Sequence, residues 1–136
     1  MINNIKEATA HIRDILTHKG YTIRFSKRVN KRRHCIISTF AHNGQFWVIY
    51  KKDMFMSYAN QFKNENGIGE SINEGVLRFI CRRKYKVLIC YKDGKVYKID
   101  PCDWLEYSYK HNTRRTTNNG EQTVSIPISK LIRWGN

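Results

Sequence analysis

The stretch His34-Cys-Ile-Ile-Ser-Thr-Phe40-Ala-His-Asn43-Gly44-Gln-Phe46-Trp-Val-Ile-Tyr-Lys-Lys52 decides how the chain is read. Two runs rich in β-branched and aromatic residues, Cys35 to Phe40 and Phe46 to Tyr50, flank Asn43-Gly44, the dipeptide that most readily adopts the positive φ angles of a tight hairpin. The pattern predicts a pair of antiparallel strands. Upstream, Ile5, Ala8, Ile12, Ile15 and Leu16 recur at helical spacing over 3–18, and Gly20 follows as a stop. Tyr21 to Ser26 alternates as a short strand. Downstream, Ser71 as N-cap with Glu74 three positions later predicts a capping box, opening a helix that carries Ile72, Val76, Phe79 and Ile80 and ends near Arg83. Tyr85 to Tyr91 and Lys95 to Ile99 are joined through Asp93-Gly94 as a second hairpin, and Pro101 opens a helix running to about Lys110. Residues 53–69 are ambiguous, Met54 to Phe62 being able to form a short helix. Asn64 to Gly69 and His111 to Gly120 read as loops. Thr123 to Pro127 is extended, because a residue preceding proline is driven out of the helical region, and Ser129 to Trp134 reads as a short terminal helix.

The order is then helix, strand, strand, strand, helix, strand, strand, helix, strand, helix, which predicts an α/β domain over 1–136 with a single mixed sheet. A chain of 136 residues can bury one core unaided. No apolar run approaches the ~20 residues of a membrane-crossing helix. Met1-Ile-Asn-Asn-Ile-Lys-Glu lacks the basic-then-apolar plan of a secretory leader, so a cytoplasmic location with no membrane partner is expected. Cys35, Cys81, Cys90 and Cys102 are spaced unlike a zinc knuckle, and the first three, inside apolar runs, read as reduced buried thiols. Glycine patterns for dinucleotide and P-loop sites are missing, as is a nucleophile elbow.

Charge is the strongest functional signal. Lys and Arg number 25 against 11 Asp and Glu, a formal charge of +14. Arg24, Lys27, Arg28, Lys31, Arg32 and Arg33 crowd one loop without an acid between them, an arrangement suited to phosphate. Lys52 adds to it. A second cluster around Arg114 and Arg115 mixes cations with hydroxyl and amide groups, the types that bond phosphate and sugar. Tyr85, Tyr91, Tyr97, Tyr107 and Tyr109 are interleaved with cations, and strand alternation assigns them to the core ahead of base stacking. Glu7, His11, Asp14 and His18 form a stripe along the first helix that reads as a polar flank, with divalent-metal ligation as the sharper alternative.

From Asn4 to about Asp100 the chain resembles the archaeal Holliday junction resolvases and, more broadly, the PD-(D/E)XK nucleases with their restriction-endonuclease-like core. The likeness rests on an opening helix with Glu7, Lys19-Gly20-Tyr21 leading into a strand, Arg24-Phe25-Ser26 leading into a basic loop, and the Asn43-Gly44 hairpin ending in Tyr50-Lys51-Lys52, then helix and strand. Where that family carries an Asp at the start of the first hairpin strand, this chain has His34-Cys35. Where it carries Glu-x-Lys at the end of the second, this chain has Ile49-Tyr50-Lys51. The resemblance implies nucleic acid as partner, DNA ahead of RNA, and a homodimer; Trp47, Phe55 and Trp134 are apolar candidates for its interface, and core burial explains them as well. It also implies a catalytic set of Glu7, Lys51, Asp53 and Glu70, with Mg²⁺ as cofactor if the set is catalytic. The expectation is a nucleic-acid-binding protein of nuclease-like fold with weak or no cleavage. The alternative is an active Mg²⁺-dependent endonuclease with a rearranged site.

Overall fold

The computed structural model describes residues 1–26, 33–56 and 68–135. The elements are α1 (Ile5–His18), β1 (Ile23–Ser26), β2 (His34–Thr39), β3 (Gln45–Lys51), β4 (Phe55–Met56), β5 (Ile68–Asn73) and α2 (Glu74–Arg82). They continue as β6 (Lys86–Tyr91), β7 (Val96–Ile99), α3 (Pro101–His111), β8 (Arg114–Thr116), β9 (Gln122–Pro127), a 3₁₀ turn (Ile128–Lys130) and β10 (Ile132–Trp134). The mixed α/β class is as expected; the single sheet is not. Two sheets form, a six-stranded one ordered β1-β2-β3-β6-β7-β10 and a four-stranded one ordered β4-β5-β9-β8. The chain divides into two compact units, one from Met1–Asp53, Lys84–Lys98 and the chain from Arg133, the other from Met54–Arg83 and Ile99–Ile132.

In the first unit, β1, β2 and β3 form an antiparallel meander, and β6 runs parallel to β3 with Trp47 opposite Val87 and Ile49 opposite Ile89. Parallel neighbours cannot be joined by a hairpin, so the chain leaves at Lys51 and returns at Lys86 after a long crossover. The expected hairpin exists: Thr39 closes its loop by accepting from the Gly44 amide through its hydroxyl at 3.2 Å, and Asn43 takes the positive φ of 44°. One sheet face is covered by α1, whose Ile5, Ala8, Ile12 and Leu16 pack with Cys35, Ile37, Phe46, Val48, Tyr50, Leu88, Cys90 and Val96. Ile12 and Leu16 are fully buried, and each contributes about 1.5–3 kcal/mol by leaving water. Asn4 caps α1, its Oδ1 accepting from the Glu7 amide at 2.9 Å.

The second unit departs most from expectation. Glycine at 69, with Ser71 beyond it, suggested loop and helix cap; instead both belong to β5, paired antiparallel with β9. A Cβ on Gly69 would come within 2.1 Å of the Ile126 carbonyl oxygen, so glycine here lets two backbones meet rather than breaking a strand. The cap of α2 is Asn73, whose Oδ1 accepts from the Val76 amide at 3.0 Å. Part of the expected 111–120 loop forms β8, and the expected terminal helix shrinks to a 3₁₀ turn followed by β10. Helix α3 opens at Pro101 as expected. Its Trp104 is buried and donates from Nε1 to the Val124 carbonyl at 3.3 Å. The Thr113 hydroxyl donates to the Ser125 carbonyl at 2.6 Å and lies 2.8 Å from the Ser108 hydroxyl, so this buried polar pair is satisfied.

Cysteine usage divides in the same way. Cys35 and Cys90 are free and buried, as expected, and burial pushes the Cys90 thiol up to about 12, with Asp93 adding to the shift. Cys81 is not a free thiol: it is bonded to Cys102, tying α2 to α3 with a Cα separation of 5.5 Å. Intact-mass analysis of the folded protein under non-reducing conditions should find one disulfide and no alkylation of Cys35 or Cys90 until denaturant is added. Closing 21 residues of sequence separation constrains the unfolded chain, so reduction should lower stability in urea melts by about 3 kcal/mol.

Candidate nucleic-acid interface

Of the residues expected to form a metal site, Glu7 and Lys51 are placed apart within the first unit. Glu7 lies on exposed helix surface in the first turn of α1, and its Oε2 accepts from the Asn3 amide at 3.3 Å, a local capping arrangement. Tyr50 faces α1, its hydroxyl donating to the Ile2 carbonyl at 3.0 Å. Strand alternation therefore directs Lys51 to the opposite sheet face from the helix that carries Glu7. Asp53 is exposed, two residues past the end of β3. Glu70 belongs to β5 in the second unit, fully buried and in register with Ile126. Among the described residues no group of three His, Cys, Asp or Glu side chains could hold a metal. The described residues do not fit the Mg²⁺ that the resemblance implies.

His34 and Ile49, at the strand positions where the resemblance calls for acids, are register partners. The first is an imidazole stacked on Trp47 at 4.2 Å, and Trp47 stacks in turn with Tyr85 at 6.2 Å. This face carries a diagonal aromatic row, with Trp47, Ile49 and Tyr85 all buried. The polar stripe of α1 is likewise consumed by ordinary bonds: His11 Nε2 donates to the Gly94 carbonyl at 2.9 Å and His18 Nδ1 to the Asp14 carbonyl at 2.7 Å.

The cations are at the surface. Arg24, Arg33 and Lys52 in the first unit are exposed, as are Arg114 and Arg115 in the second. Lys27, Arg28, Lys31 and Arg32 lie outside the described residues. Arg24 sits in β1, the edge strand, where the register with β2 slips between Ile23 and Phe25. Its guanidinium carbon stands 5.8 Å from the Phe40 ring centroid. Of the tyrosines assigned to the core, Tyr85 and Tyr91 are buried, Tyr97 and Tyr107 are half-buried, and Tyr109 is exposed.

Arg114 has a structural task that sequence reasoning missed. Its Nε and Nη2 donate to the two carboxylate oxygens of Glu74, each at 3.0 Å, while the Tyr109 hydroxyl donates to the same carboxylate at 2.8 Å and Arg78 stands 3.7 Å away. Glu74 is therefore not a capping-box partner of Ser71 but the buried acid on which β8, α2 and α3 converge. The i,i+4 spacing of Glu74 and Arg78 is local in the sequence, but Arg114 joins them only through the β8–β9 pairing. No family model, curated protein or solved structure matches the chain.

The bidentate Arg114 contact, with Tyr109 and Arg78, holds the Glu74 carboxyl below its ordinary value of 4.5, outweighing the opposing effect of burial. A lowered folded value means that the stabilisation is present above the unfolded value and is lost as pH falls through the folded one. Glu74→Gln should cost about 1–2 kcal/mol at pH 7, discounted because Arg114 is half-exposed. The gap between variant and wild type in urea melts should close as the buffer is taken from pH 6 to well below 4.5.

Proposed function

We propose that this chain is a nucleic-acid-binding protein that contacts the phosphate backbone through exposed cations, on a nuclease-like core that cleaves weakly or not at all. The carrying observation is the charge: 25 basic against 11 acidic residues, with one of the acids, Glu70, fully buried and another, Glu74, buried against Arg114. Such an excess repels itself unless a polyanion offsets it, and phosphodiester chains meet that need at regular spacing. The restriction-endonuclease-like reading draws support from the element order, helix, three-strand meander and a crossover to a strand parallel to the third, which agrees with the resemblance. Fold alone carries no activity. DNA is preferred to RNA on that resemblance, and a homodimer belongs to the same reading.

The cytoplasmic placement belongs here too. Among the described residues no helix is long and apolar enough to cross a membrane. In a reducing cytosol the Cys81–Cys102 pair would be held open, whereas an oxidising compartment keeps it bridged, so thiol trapping in cells reports on the compartment.

Binding to a mixed-sequence duplex should weaken steeply with salt, log affinity falling against log salt by about 0.9 for each phosphate neutralised. Replacing Arg24, Arg33, Lys52 and Arg115 together by Ala should flatten that slope by roughly 3–4 and weaken unrelated sequences alike, measured by fluorescence anisotropy. An affinity that ignores salt would overturn the assignment.

Little or no cleavage is expected. Junction, flap and single-stranded substrates incubated with Mg²⁺ or Mn²⁺ should stay intact on denaturing gels, because Ile49 offers no lone pair and Mg²⁺ prefers oxygen to the imidazole of His34. Cutting that disappears in Glu7→Ala and Lys51→Ala, with folding retained, would establish the endonuclease instead.

A further inference from the structure

The edge of the six-stranded sheet at β1 carries two exposed phenyl rings beside a cation. Phe25 is 48% and Phe40 51% exposed, although both belong to a residue type that folding normally hides. Phe25 is in register with Ser38, and Phe40 follows Ser38 by two positions on a ladder extended by the Phe40 amide, which donates to the Thr22 carbonyl at 3.1 Å. Both rings flank Arg24 at this edge, Phe25 as its neighbour in β1 and Phe40 through the ring contact with its guanidinium. The bulge places Arg24 between Ile23 and Phe25 without a partner of its own on β2, and its guanidinium lies toward Phe40. The result is a short platform of two π faces and one positive charge on a strand that, among the described residues, pairs with β2 alone.

We propose that this platform stacks unpaired bases, so that the chain prefers single-stranded nucleic acid to duplex; the inference rests on the nucleic-acid reading above and names its substrate class. In a duplex the faces of the bases are covered by their neighbours, whereas an unpaired strand offers each base to a ring while its phosphates reach the nearby cation. Local charge selects this occupant over a second copy of the chain, since Arg24 beside the rings would meet phosphate on a nucleic-acid strand but would face its own counterpart if two copies joined at this edge. It also gives the rings a reason to be exposed, which a role in the core does not.

The test compares three probes of equal phosphate number: a fluorescein-labelled (dT)15, a 15-residue abasic strand, and a duplex. Wild type should bind (dT)15 roughly tenfold tighter than the abasic strand, and Phe25→Leu and Phe40→Leu should each remove most of that difference. Phe→Tyr at either position should retain it. Duplex affinity and the salt slope should not move, and matching thermal melts show that the variants are folded. If (dT)15, abasic strand and duplex bind alike and the Leu variants change nothing, the stacking platform is refuted and the phosphate-binding reading stands. Failure of wild type to bind any of the three at low salt overturns that reading itself. A wild-type dimer in sedimentation that the Leu variants convert to monomer assigns the edge to self-association and overturns the proposal.

Discussion

The parallel pairing of β3 with β6 is the constraint on which the architecture depends. Six register pairs from Phe46–Lys86 to Lys51–Tyr91 align two apolar strands at the centre of the sheet, and parallel alignment obliges the chain to travel the length of the sheet before it can return. That journey is not a bare helix: it carries β4, β5 and α2. A second excursion, between β7 and β10, carries α3, β8 and β9. The four-stranded sheet is thus woven from two insertions into the first sheet's connections, and its own stability rests on long-range contacts: the β5–β9 ladder, the Cys81–Cys102 bridge and the Glu74–Arg114 pair.

This explains which parts of the fold were legible in the residues. Helix α1, the Asn43-Gly44 and Asp93-Gly94 hairpins and the Pro101 start of α3 are specified within a dozen residues by periodicity and turn chemistry, and they were readable. The second sheet was not. Its strands are short and polar, Ile-Gly-Glu-Ser-Ile-Asn in β5 and Arg-Arg-Thr in β8, and they become strands because β9 lies beside them. Gly69 shows the difficulty in one residue: sequence offers it as a breaker, while the reason for it, the Ile126 carbonyl, is far along the chain. The disulfide is similar, because connectivity among four cysteines is a matter of where helices end in space.

For the site, net charge was fully legible and geometry was not. Candidate ligands were grouped by proximity in sequence, yet alternation alone separates Lys51 from the α1 face, since Tyr50 has to serve the core beside it. That signal was available. The convergence of Arg78, Tyr109 and Arg114 on Glu74 was not, because its members come from three elements joined only by the fold. The exposed rings of Phe25 and Phe40 were hidden by the same limitation: sequence shows two phenylalanines in strand-like runs, and only the finished sheet shows that they lie at an edge.

The crossover has a further consequence for the integrity of the molecule. A single backbone break between residues 57 and 67 would place β1, β2 and β3 on one polypeptide and β6, β7 and β10 on another. Cys81 and Cys102 would both fall on the second piece, so no covalent bond would bridge the two. What would hold them is the hydrogen-bonded seam between β3 and β6, the short β4–β5 pairing, and the apolar layer where Val48 and Tyr50 meet Leu88 and Cys90 under α1. The protein is, in that sense, a split molecule that happens to be continuous, and its two halves carry complementary sides of one interface.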